Sequence, residues 1–105
     1  MPRLLTRGSK AAAYMTIQSV ASLDQVRKAL ALAVKERRLA LGSSVTQEDV
    51  AFKANISVRH FQKLESGTAN PRLDTLLAIA KALQTNLQSL LDRAEEIASK
   101  RGRAG

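Results

Sequence analysis

The chain has 105 residues, 45% hydrophobic and 25% charged, which is room for one small folded domain with one core. It has no cysteine and a single histidine, His60. These counts exclude a disulfide scaffold, a thiolate zinc site, a cysteine nucleophile and a histidine metal cluster. The net charge of +8 points to a polyanionic partner or a basic soluble surface, but most of the excess sits near the ends. Arg3, Arg7 and Lys10 precede residue 22, and Lys100, Arg101 and Arg103 follow residue 98; between them 11 basic residues face 9 acidic ones.

Aromatic residues make up 3%, namely Tyr14, Phe52 and Phe61, so a core must be built from Leu, Ile, Val and Ala. Abundant Ala and Leu favour helix, and alternating strand patterns are missing. The expected class is all-α. No apolar run reaches the length of a membrane span, so no membrane partner is expected. No catalytic constellation, cofactor or small-molecule effector site is evident, and no enzymatic activity is expected.

Residues 1–21 show weak periodicity and no acid. That pattern is shared faintly by organelle transit peptides, but it reads better as a flexible basic arm, with Met15 an alternative start. Ser22 opens the first confident helix, forming an S-x-x-Q capping box with Gln25 and placing Asp24 in the first turn. Val26, Leu30, Val34, Arg38 and Leu41 share one face, and Gly42 ends the helix. Lys35, Arg37 and Arg38 complement the dipole in its last turns.

Thr46 opens a second helix with Asp49 as its reciprocal cap, and Val50, Ala51 and Ala54 form its inner face. Asn55 tolerates the left-handed backbone of a sharp turn, Ile56 is buried in that turn, and Ser57 caps a third helix. Phe61 and Leu64 face inward there, while Val58, Arg59, Gln62 and Lys63 face outward. Gly67 closes that helix, and a loop leads through Asn70-Pro71. A fourth helix, about residues 73–83, carries Leu73, Leu76, Leu77, Ala80 and Leu83 inward. Asn86 caps a fifth with Leu87, Leu90 and Leu91 apolar, continuing to Ile97. The domain is therefore expected over residues 22–98, and residues 99–105 are expected to be a disordered basic tail.

The central pair has the parts of a helix-turn-helix. Ala51 allows a close crossing, Asn55 accepts positive φ in the turn, and Phe61 locks the second helix, at spacings of four and six residues. Many helical hairpins satisfy that much. The stretch Val34 to Leu91 further resembles the lambda-repressor/Cro-like, or XRE, family of transcriptional regulators. The resemblance rests on V-K-x-x-R-x-x-L-G (34–42), T-Q-E-D-V-A (46–51), I-S-V-R-H-F-Q-K-L-E-S-G (56–67), Asn70-Pro71 and L-x-x-I-A-K-A-L (76–83). Three features depart from the family pattern: a longer loop over 42–45, Asn55 in place of a frequent glycine, and Gln84 where a helix-ending glycine is common.

The resemblance implies a five-helix DNA-binding domain whose third helix, residues 57–65, enters the major groove. Ser57, Val58, Arg59 and Lys63 match base-facing positions; an arginine can hold guanine bidentately, and a valine can meet only a thymine methyl. Gln47 matches a phosphate anchor at a helix N-terminus. His60 and Gln62 flank the reading face. Ser66, Thr68 and Asn70 match the loop that grips the backbone, and Arg72 matches an arginine directed to the minor groove. Arg38 and Glu65 match a structural ion pair. Relatives bind double-stranded DNA as two-fold dimers on half-sites about 34 Å apart. Leu87, Leu90, Leu91 and Ile97 are the candidate homodimer surface, with closure of the core as their plainer role. The expected setting is the cytoplasm of a bacterial or phage system, at the nucleoid. Rival readings are a protein-interaction module of the same fold, such as an antitoxin or bridging factor, and an RNA binder. The second is disfavoured because no stacking aromatics lie on the predicted outer faces.

Overall fold

Five helices form in the order expected, and no strand occurs among the described residues: α1 (Leu23–Ala40), α2 (Gln47–Ala54), α3 (Val58–Glu65), α4 (Leu73–Ala82) and α5 (Leu87–Ala104). The structure is a computed structural model that describes residues 22–104, with side chains through Lys100. The arm expected over residues 1–21 lies outside the described residues.

Four of the five helix starts carry a side-chain cap; Arg72, at the start of α4, makes none. Ser22 Oγ accepts from the Gln25 amide at 3.1 Å, and Gln25 Oε1 accepts from the Ser22 amide at 2.8 Å. Thr46 and Asp49 make the same reciprocal pair at 3.0 Å in each direction. Hydrogen bonds from Thr46 hold the Asp49 carboxyl below the usual carboxylate range. Ser57 Oγ accepts from the His60 amide at 3.0 Å, and Asn86 Oδ1 from the Ser89 amide at 2.8 Å.

The ends of α2, α3 and α4 follow one device, a left-handed residue that turns amides back onto the last carbonyls. Asn55 has φ 60°, and the Ile56 amide reaches the Ala51 carbonyl at 3.0 Å. Gly67 has φ 79°, and the Thr68 amide reaches the Lys63 carbonyl at 3.1 Å. Gln84 has φ 58°, and the Thr85 amide reaches the Ala80 carbonyl at 2.9 Å. Gln84 thus adopts the glycine-like backbone despite its Cβ. Arg37 braces that turn from α1, donating to the Leu83 and Gln84 carbonyls at 2.9 Å each. The sequence placed Arg37 on the dipole of its own helix; it also serves the C-terminus of α4.

The core is aliphatic around one aromatic. Phe61, Ile79, Leu83 and Val34 are fully buried, joined by Val50 and Ala51. α1 packs most extensively on α5, and both present small residues to the core: Ala29 and Ala33, and Ala94 and Ala98. Arg93 fastens the pair from outside, donating to both Glu36 oxygens at 2.8 and 3.1 Å. Those bonds hold the Glu36 carboxyl below its ordinary range, so the clamp contributes fully above that range and is lost only as pH falls below it, through the lowered value.

Three expectations need correction. Leu90 and Ile97 are 3% and 8% exposed, packed into the core of this chain, so they are not a dimer surface. α5 runs to Ala104 instead of giving way to a disordered tail at 99. Ile97 and Ala98 anchor its last turns, and Lys100 sits where the helix dipole favours a cation. On α4 the inward stripe is Leu76, Ile79, Ala80 and Leu83, while Leu73 and Leu77 are exposed. One residue is about 100° of helix rotation, which turns Leu77 away from a stripe centred on Ile79 and Leu83. Phe52 lies outside the core and is 86% exposed. Val50, Ala51 and Ala54 define the inner side of α2, and residue 52 points opposite to it.

Gln84→Gly removes the Cβ cost of the left-handed turn. It is expected to stabilise the fold by about 1 kcal/mol, read as a higher urea midpoint at unchanged slope.

Candidate nucleic-acid interface

A buried ion pair between α1 and α3 braces the angle between α2 and α3. Arg38 Nε donates to Glu65 Oε2 at 2.7 Å and Nη2 donates to Glu65 Oε1 at 3.1 Å. The Glu65 side chain is 3% exposed and that of Arg38 12%. Hydrogen bonding to Glu65 raises the Arg38 pKa still further above its ordinary value. The third Arg38 donor, Nη1, binds the Val45 carbonyl at 3.1 Å, which ties down the long loop before α2. One guanidinium therefore joins α1, the entry to α2 and the end of α3.

Gln47, at the first position of α2, joins the same cluster. Its Nε2 donates to Glu65 Oε1 at 2.8 Å, and its Oε1 accepts from Gln62 Nε2 at 3.3 Å. The start of α2 is thereby fastened to α3. The sequence offered Gln47 a phosphate contact or a cap on its own helix and did not foresee this bond. A glutamine three residues before the glutamate on the reading helix, Gln62, was the available signal.

The outer face of α3 is basic and polar. Arg59, His60, Gln62 and Lys63 are exposed, and the one acid of the helix, Glu65, is buried. Arg59 and Lys63 have no ion-pair partner among the described residues. Val58 is half-buried and packs against the core, which leaves only part of its side chain outward. Ser57 uses its oxygen lone pair as the cap of α3 and keeps its O–H as a donor.

The loop after α3 folds back on that helix. The Lys63 carbonyl accepts from the Ser66 hydroxyl at 2.8 Å and the Thr68 hydroxyl at 3.2 Å. Gly67 is needed here twice over: its φ is 79°, and a Cβ would lie 3.2 Å from Lys28 Cγ and 3.4 Å from Lys28 Cα on α1. Asn70 is exposed beyond it. Arg72 is the N-cap residue of α4, 83% exposed at its side chain, with a 3.4 Å contact to Asp74. Such an exposed pair contributes little and leaves the guanidinium available.

Capping, left-handed turn, crossing helices and an outward basic face are together the geometry of a helix-turn-helix, and a model of that family matches residues 34–90. The chain belongs to the XRE-type helix-turn-helix family. Among solved structures, this helix-turn-helix protein is similar to the clp gene regulator ClgR from Corynebacterium glutamicum. The TM-score is 0.71 at 23% identity, covering 75% of this chain and 82% of that one. At that identity the likeness concerns the fold. No curated protein matches the sequence. The family assignment supports a DNA-binding regulator. No described helix is long and apolar enough to cross a membrane.

Arg38→Met strands a buried carboxylate and is expected to cost roughly 3 kcal/mol in urea unfolding, whereas Arg38→Met with Glu65→Met should recover most of that loss. Equal losses in the single and double variants would show that the pair does not act as a unit.

Proposed function

We propose that the protein is a sequence-specific regulator of transcription that places α3 in the major groove of double-stranded DNA. The observation that carries this reading is the outer face of α3, where Arg59 and Lys63 stand exposed and, among the described residues, without an ion-pair partner beside Gln62, while the only acid on the helix is buried. Arg59 is the principal base-reading side chain and Lys63 reads or grips beside it. Ser57 and the exposed part of Val58 contribute at the N-terminal end. Gln47, with a spare amide hydrogen at the start of α2, holds a phosphate. His60, Ser66, Thr68, Asn70 and Arg72 flank the duplex and hold its backbone. The site of action is the cytoplasm.

A two-fold dimer completes the reading, because one short helix reads too few base pairs to address a genome. With Leu90 and Ile97 in the core, its surface must use leucines that remain exposed. Leu91 on α5 is 39% exposed, and Leu73 and Leu77 on α4 are 66% and 51% exposed. A purely protein-binding role has one feature in its favour, the exposed Phe52 on the outer side of α2. It leaves the basic face of α3 without a use.

Selection of duplexes from a random pool is expected to enrich one motif, and Arg59→Ala to lose a guanine preference of roughly tenfold at one position. An unenriched pool favours the protein-binding role. A motif unchanged by Arg59→Ala moves the reading to other residues. Light scattering is expected to show a dimer mass that falls to the monomer in Leu77→Glu or Leu91→Glu. A monomeric parent protein rules out pairing in the absence of DNA.

A further inference from the structure

The cluster at the start of α2 decides which end of each amide faces outward. Glu65 is held in an ion pair with Arg38, and an ionised carboxylate only accepts. Gln47 must therefore turn its NH2 group to Glu65, as it does at 2.8 Å. Its carbonyl oxygen is then the end left for α3. Gln62 must in turn offer its own NH2 group to that oxygen, as it does at 3.3 Å. The chain of dipoles has one direction, from the carboxylate outward. Gln62 is left with one N–H and its whole carbonyl oxygen unengaged, on an exposed position of α3 next to Lys63.

We infer that Gln62 is an oriented base-reading residue, and that Gln47 and Glu65 are the positioning residues that set its polarity. This rests on the DNA-reading role proposed for α3 and narrows the partner of one side chain. An outward acceptor with a donor beside it matches adenine, whose N6 amino group donates and whose N7 accepts in the major groove. A guanine edge presents two acceptors and would face the Gln62 oxygen with a repulsive O6. A free glutamine reverses its amide at little cost and discriminates poorly; a glutamine anchored at its NH2 end does not. Through Gln62, Gln47 and Glu65 thus act on specificity, beside the phosphate contact proposed for Gln47.

The test is selection of duplexes from a random pool with the full chain and four forms: wild type, Gln62→Ala, Gln62→Glu and Gln47→Ala. Wild type is expected to prefer adenine by about tenfold at one position of its motif. Gln62→Ala should abolish that preference alone and leave the remaining positions intact. Gln62→Glu, an acceptor with no donor, should move the preference at that position to cytosine. Gln47→Ala should weaken the adenine preference without abolishing it. A wild-type adenine preference that survives Gln62→Ala overturns the inference, as does one lost in Gln62→Ala but untouched by Gln47→Ala. A wild type that enriches no motif overturns the DNA-reading role itself, and this assignment with it. Circular dichroism of each variant confirms the fold, and both Gln62 variants alter an exposed side chain.

Discussion

The angle between α2 and α3 depends on a single guanidinium. Arg38 spends its donors on Glu65 and on the Val45 carbonyl, so one side chain of α1 reaches the end of α3 and the entry of α2. Two buried charges carry a desolvation cost that their attraction offsets only with good geometry. Here the contact is bidentate and both carboxylate oxygens are used. The pair therefore does more for uniqueness of arrangement than for gross stability. Aliphatic packing around Phe61 would tolerate several helix angles, whereas the hydrogen bonds tolerate few.

That constraint propagates outward. Glu65 holds Gln47, Gln47 holds Gln62, and the Schellman turn at Asn55 sets how α3 leaves α2. The loop after α3 is fixed independently, by the approach of Gly67 to Lys28 and by hydroxyls on the Lys63 carbonyl. The exposed face of α3 thus rests on a rigid frame, the condition for presenting side chains at a spacing that a groove can test. Away from this face, Arg37 on the end of α4 and Arg93 on Glu36 close the remaining helix contacts with charged hydrogen bonds. Much of the basic charge in the body is therefore structural, which is why its sum says little about a nucleic-acid partner.

Helix starts, the ends of the first four helices and the central motif were legible because each depends on local chemistry. Ser22 with Gln25, Thr46 with Asp49, Ser57 and Asn86 are all within three residues of the groups they cap. Asn55 and Gln84 were noted as departures from glycine, and both adopt the left-handed backbone that glycine would have. What the spacing did not show is which side of a helix meets another helix, and where α5 ends. Leu73 and Leu77 fit an apolar stripe by spacing alone, and only the placement of neighbours makes Ile79 central. Leu90 and Ile97 are buried for the same reason: α1 covers them. The end of α5 was missed because a basic segment reads as solvated until packing of Ile97 and Ala98 extends the helix beneath it.

By itself the sequence determined the helices, their caps, the family and the set of side chains from which a reading face is drawn. These follow from contacts between residues close in the chain and from a pattern of types at fixed spacing. Tertiary structure decided which leucines belong to the core, where Arg37 and Arg93 find their partners, and which way the amides of Gln47 and Gln62 point. Those outcomes depend on groups 15 to 57 residues apart in the chain. An amide has no polarity in sequence; it acquires one only when a carboxylate that cannot donate is brought against it.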